Sequence, residues 1–135
     1  YIANQTIQIN QLEHLDDEVI AIENLQLIAE PLICYLTSFT NPTLQDHSQV
    51  EKLLEKLSLH QIIKNLDNGI DSVIMNKYQL SNRVIILLKI IRAILSKSQI
   101  ICIGGLVNLL ENKDLENITW LCSEYNKYLV IVNYK

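Results

Sequence analysis

Glycine and proline are scarce in this chain of 135 residues, with 3 Gly and 2 Pro, and aromatic residues make up only 6%. Together with 49% hydrophobic and 19% charged residues, that scarcity excludes a disordered or low-complexity chain and indicates a globular one. An excess of basic residues is also missing: 11 Lys and Arg face 15 Asp and Glu, for a net charge of -4, and the cations are scattered. With no basic stripe to follow a phosphate backbone, nucleic acid is not an expected partner. Long apolar runs are absent too. The longest, Val84 to Leu95, is interrupted by Lys89 and Arg92 and falls short of the ~18 residues a bilayer span needs. Tyr1 to Asn10 has neither the basic start nor the continuous apolar core of a secretory leader. Cysteine is limited to Cys34, Cys102 and Cys122. An odd number, widely spaced and each set in an apolar run, reads as buried small hydrophobes in a reducing compartment and not as a disulfide or metal set. A cytoplasmic location is expected.

What is present fits one domain, since a chain of this length buries roughly two-thirds of its unfolded surface around one core. The chain opens on Tyr1 and not on Met, which points to a fragment or a processed piece. "TIQIN", Thr6 to Asn10, alternates with period two and predicts a strand, and "LQLIA", Leu25 to Ala29, predicts a second, with "HLDDEVIAIEN" between them as a short helix. Pro31 and Pro42 bracket "LICYLTSFTN", read as helix or loop. Ser48 with Glu51, and Ser58 with Gln61, have the spacing of capping boxes before two short helices, which lead into a turn at Asn68 and Gly69. From Leu80 the pattern becomes α/β. Ser81 is placed to cap a mostly buried helix reaching about Lys97, followed by the strand "QIICI", a helical turn near Val107 to Leu110, a helix from Asp114 to about Asn126, and the strand "YLVIVNY". Strand, crossover helix, strand is a parallel unit, and such sheets carry ligand chemistry just past the carboxyl ends of their strands. Here those ends are Gly104-Gly105 and Asn133-Tyr134.

This order resembles the later half of the ATPase domain of ABC transporters, of the exporter type. "GIDSVIMNKYQLS" is similar to the segment leading into the family's Leu-Ser-Gly-Gly-Gln signature, with Leu80 and Ser81 at its first two positions. "IIRAILSKSQIICIGG" resembles the helix and strand that end in the Walker B motif, with Arg92 and Ala93 matching. "LQLIAEPLICYLTSFTNP" resembles the Q-loop and the stretch after it, with Glu30 at the glutamine position, and "LVIVNY" resembles the switch-histidine strand. The resemblance implies a partial P-loop-NTPase-like fold: residues 1–30 as N-terminal strands and Q-loop-like segment, 31–79 as helical subdomain, and 80–135 as signature-like helix and C-terminal β-α-β.

The departures from the family pattern decide the expected function. Where the family has the Walker B aspartate and the catalytic glutamate, this chain has Gly104 and Gly105, which can neither hold Mg²⁺ nor accept a proton. The D-loop aspartate position is Glu111, and the switch-histidine position is Tyr134. Asn82 and Arg83 replace the signature glycines that let backbone amides approach a γ-phosphate, and their bulk is expected to obstruct that approach. No Gly-x-x-x-x-Gly-Lys-Ser/Thr occurs in the 135 residues, so the phosphate cradle is absent from this stretch. Losing a positioned base forfeits ~10² to 10⁴ in rate, and losing metal ligands removes charge neutralisation from phosphoryl transfer. No catalytic residue, resident cofactor or metal is therefore expected, with ATP and Mg entering only if missing sequence or a partner supplies the chemistry; Glu30, Ser81 and Asn82 are the positions the resemblance places nearest a nucleotide. The expected role is protein–protein interaction: with a second nucleotide-binding domain, with a transporter membrane subunit at the inner face of the membrane, or as a homodimer through an unpaired sheet edge. Two alternatives stand beside it: a fragment of an exporter whose ATP site is completed elsewhere, and an unrelated α/β interaction module.

Other constellations are weaker. Cys34 and His47 as thiol and base lack an orienting partner and oxyanion donors. His14, His47 and His60 lack metal-ligand spacing, Asp16, Asp17 and Glu18 read as a helix start or solvated loop, and "DNGID" has too few oxygens for a calcium loop.

Overall fold

Residues 19–26, 29–74 and 80–132 are described by the structure, a computed structural model. Three parallel strands form one sheet in the order β1-β2-β3: β1 Val19–Ala21, β2 Ile100–Ile103 and β3 Tyr128–Ile131. Ile101 is the register point, opposite Ile20 on one side and Leu129 on the other. The mixed α/β class and the parallel unit over residues 99–132 agree with the sequence. The first strand does not: Val19–Ala21 lies in the segment expected to be helical, and Leu25 and Gln26, expected to start a strand, are outside regular structure. Parallel strands are buried on both faces and read as continuous apolar runs, so "VIAI" satisfies the slot beside Ile100–Cys102, whereas the acidic residues before it mimic a helix start. Thr6–Asn10, His14, Asp16, Asp17, Glu18 and Tyr134 lie outside the described residues.

Among the described residues, four α-helices lie between β1 and β2. α1, Leu32–Thr37, starts directly after Pro31, whose fixed φ suits the turn before a helix. α2, Leu44–Lys56, is capped by Thr43 and Asp46, each side chain binding the other's backbone amide, at 3.1 Å and 2.8 Å. The capping box thus stands five residues before the expected Ser48–Glu51 pair, and Ser48 and Glu51 are exposed positions inside the helix. Ser58 is not a cap for α3, His60–Lys64, either; with φ of 59° it stands just past the end of α2, and the residue before α3 is Leu59. Left-handed backbone follows two other helices, at Ser38 (φ 61°) and Asn126 (φ 56°), and the turn at Gly69 uses φ of 56°. α4, Asn82–Leu95, begins at Ser81, whose Oγ accepts the Val84 amide at 3.3 Å, as expected. α5, Asn112–Glu124, joins β2 to β3.

α4 is the axis of the core. Leu87, Leu88, Ile90, Ile91 and Ala93 have no solvent exposure, and each such aliphatic side chain of Leu or Ile size contributes about 1.5–3 kcal/mol when removed from water. One apolar cluster links α1, α2, α3, α4 and α5 with Ile101, Ile103 and Leu129 on one face of the sheet. Alternation turns Ile100, Cys102 and Val130 to the opposite face, where they form a small cluster with Val19, Ala21 and Val132. Lys127 is buried before β3 and donates its ammonium to the Ser96 carbonyl at 2.6 Å and to the Ser98 carbonyl. It thereby satisfies two carbonyls in the segment that joins α4 to β2. Among the described residues, no helix is long and apolar enough to cross a membrane.

Candidate functional site

A helix packed back along a parallel strand has its amino end beside the strand's carboxyl end. α4 enters β2 and α5 leaves it, so the start of each helix lies at the edge where Gly104 and Gly105 stand. Ser81, Asn82, Gly104, Gly105 and Glu111 are therefore brought to one end of the sheet. Glu30 is not among them. It lines a separate cleft with Arg92, and Arg92 sits ten residues along α4 from Asn82, about 15 Å at 1.5 Å per residue.

A further carboxylate, Glu23, reaches this edge. It sits in the 3-10 turn Ile22–Asn24 that ends β1, and it accepts a hydrogen bond from the Gly104 amide. Sequence reasoning misses it because a helical assignment of the segment hides it. The available signal is position: Glu23 is the first polar residue after the run Val19 to Ile22. Gly105 opens the 3-10 turn Gly105–Leu109 with no atom within 4 Å of where a Cβ would stand. Nothing in the fold demands glycine there, and a longer side chain would project into open space.

Arg83 takes a different course from the expected obstruction. Its Nε and Nη2 donate to Oδ2 and Oδ1 of Asp114 at 2.7 and 2.6 Å, a bidentate pair between α4 and α5. Asp114 Oδ2 also accepts the Glu111 amide at 2.9 Å, so Glu111 serves as the residue that starts α5. Burial pushes the Asp114 carboxyl upward, but the bonds from Arg83 and Glu111 outweigh it and hold it below the usual carboxylate range. The guanidinium at this edge is thus committed to an internal carboxylate, and the exposed side chains here are the Ser81 hydroxyl, the Asn82 amide and the carboxylates of Glu23 and Glu111. Such an edge offers weak hydrogen bonding to a ligand and little charge to neutralise a polyphosphate.

The remaining sequence candidates resolve into structural roles. His47 Nδ1 lies 2.8 Å from the Thr43 carbonyl and its Nε2 lies 3.8 Å from Asp71, while the Cys34 thiol faces the Thr40 carbonyl at 3.7 Å. All three cysteines are free. Cys102 and Cys122 are buried as expected, whereas Cys34 is partly exposed. Among the described residues no group of His, Cys, Asp and Glu has the arrangement of a metal site. Comparison with protein-family models and with curated proteins finds no match.

Proposed function

We propose that this chain is a catalytically degenerate relative of the ABC transporter ATPase domain that acts through protein–protein contacts in the cytoplasm. The observation that carries the reading is the carboxyl edge of the sheet. The strand ahead of the Q-loop-like segment and the strands that resemble Walker B and the switch lie side by side in parallel, an arrangement suited to phosphate handling, yet the edge presents Gly104 and Gly105, and its arginine is locked to Asp114. A scaffold of this kind can still pair with a second nucleotide-binding domain or seat a membrane subunit, because those roles need shape and apolar surface rather than a metal or a base. Exposed Phe39, Leu44 and Trp120 supply candidate anchors.

The test is a thermal-shift titration with Mg-ATP, backed by light scattering with and without nucleotide. A ligand at 100 times its dissociation constant would stabilise the fold by ~2.7 kcal/mol. The proposal expects a cooperative melt that nucleotide leaves in place and an oligomeric mass independent of it.

A second reading is favoured by the exposure of Ser81 and Asn82 at the start of α4. In it the chain is part of an exporter polypeptide, and these two residues touch a nucleotide held mainly by other sequence or a partner domain. A saturable shift with Mg-ATP would overturn the first reading in favour of this one.

A further inference from the structure

Away from the sheet edge, a cleft of about 450 Å³ opens between α1 and α4, within the size range of small-molecule sites. Its walls carry opposite charges that do not meet. Arg92 lines one side; its guanidinium stacks on the Tyr35 ring at 4.5 Å to the centroid and spends one N–H on the Tyr35 carbonyl at 2.9 Å. Among the described residues it has no carboxylate partner, the ion pairs there being His47–Asp71 and Arg83–Asp114. Glu30 lines the same cleft, and no ion pair joins it to Arg92. Phe39, 54% exposed, and Pro31 add apolar wall.

Beneath the guanidinium, Tyr35 is itself buried and is not part of the cleft lining. The Tyr35 hydroxyl is buried with no hydrogen-bond partner among the described residues, although buried polar groups are almost always satisfied. Burial pushes this phenol's pKa up, Arg92 pulls it down and Glu30 raises it. Both charged walls therefore act on the hydroxyl.

We propose that this cleft binds a zwitterionic molecule of amino-acid size, with its carboxylate on Arg92, its ammonium on Glu30 and an apolar side chain against Phe39 and Pro31. An internal Arg92–Glu30 bond would be the simplest arrangement for two such residues across one gap. Holding them apart leaves two complementary charges for a ligand that carries both signs. This inference is independent of any nucleotide history.

The experiment is a ¹H–¹⁵N chemical-shift titration with L-leucine and L-phenylalanine against two capped probes. N-acetyl-leucine lacks the ammonium, and leucinamide lacks the carboxylate. Free amino acids are expected to bind saturably at about 1 mM or tighter and to move the amides of Cys34, Phe39 and Arg92, with each capped probe weaker by about tenfold. Glu30→Gln should abolish the preference for leucine over N-acetyl-leucine without changing the melt. Because Arg92 also binds an α1 carbonyl, Phe39→Ala provides the safer second variant. It leaves both charged walls in place, removes exposed apolar wall, and should weaken leucine several-fold while leaving the melt unchanged. No saturable response at the solubility limit of leucine, equal binding of the N-acetyl form, or wild-type affinity in both variants would each overturn the proposal.

Discussion

Arg83 and Asp114 tie the first turn of α4 to the first turn of α5 through two parallel hydrogen bonds of 2.7 and 2.6 Å. The Asp114 side chain is 4% exposed and that of Arg83 31%, so the pair is asymmetric: removing the arginine strands a buried carboxylate, while removing the aspartate frees a cation that can reach water.

Arg83→Ala should therefore destabilise the protein by about 2–3 kcal/mol, the range for charge-assisted bonds whose partner is left buried. Arg83→Lys should recover only part, because an ammonium cannot present the planar fork. Urea denaturation of both variants, with Asp114→Asn closing a double-mutant cycle, checks this. A loss under about 0.5 kcal/mol for Arg83→Ala, the scale of an ordinary surface substitution, would show that the pair does not hold the helices together.

The same pair sets a response to acid. The folded-state pKa of Asp114 is held below its ordinary 3.8, so its contribution is fully present above that value and is lost as pH falls through the lower, folded one. Wild type should lose stability more steeply than Arg83→Gln as the pH drops below the ordinary carboxylate value, and their denaturation midpoints should converge. Parallel curves would mean that Asp114 titrates alike in both.

The cysteines differ in reach. Burial pushes the Cys122 thiol up to about 12 and raises Cys102 as well, while Cys34 is partly exposed beside Thr40. Reaction with a thiol-disulfide reagent at neutral pH should give one fast equivalent per native chain, lost in Cys34→Ser, and all three after denaturation, since the thiolate is the reacting species. Fast reaction of more than one native thiol would contradict the packing around the sheet.

Gly105→Glu places a carboxylate one residue beyond the glycine that follows β2. With open space at the Cβ position and no positive φ, the change should alter stability by no more than about 0.5 kcal/mol. It should still confer no ATP turnover, because one carboxylate restores neither a phosphate cradle nor a second metal ligand. A thermal melt and a phosphate-release assay read both halves.

Much of the C-terminal half is legible in the sequence because each of its elements carries its own signal. Ser81 caps α4 where a serine before an apolar run should, and Ile100–Ile103 is short, apolar and bounded by Gln99 and Gly104. Residues 19–30 mislead because a three-residue, half-buried strand has no period of its own, and Val19–Ala21 becomes a strand only through pairing with Ile100–Cys102. The box at Thr43 is masked because Ser48 and Glu51 offer the same spacing five residues later, and nothing local says which pair starts the helix. At the site, residue type is legible but direction is not. Arg83 can be placed in the first turn of α4, but its turn toward Asp114 depends on a contact 31 residues away.

Ser38, Ser58 and Asn126 each follow a helix in left-handed backbone while carrying a side chain, a geometry that glycine adopts at lower steric cost. A chain with 3 glycines has thus left three hinge points unrelaxed. An engineer seeking a hardier sample could begin there, changing residues remote from both the sheet edge and the hydrophobic interior.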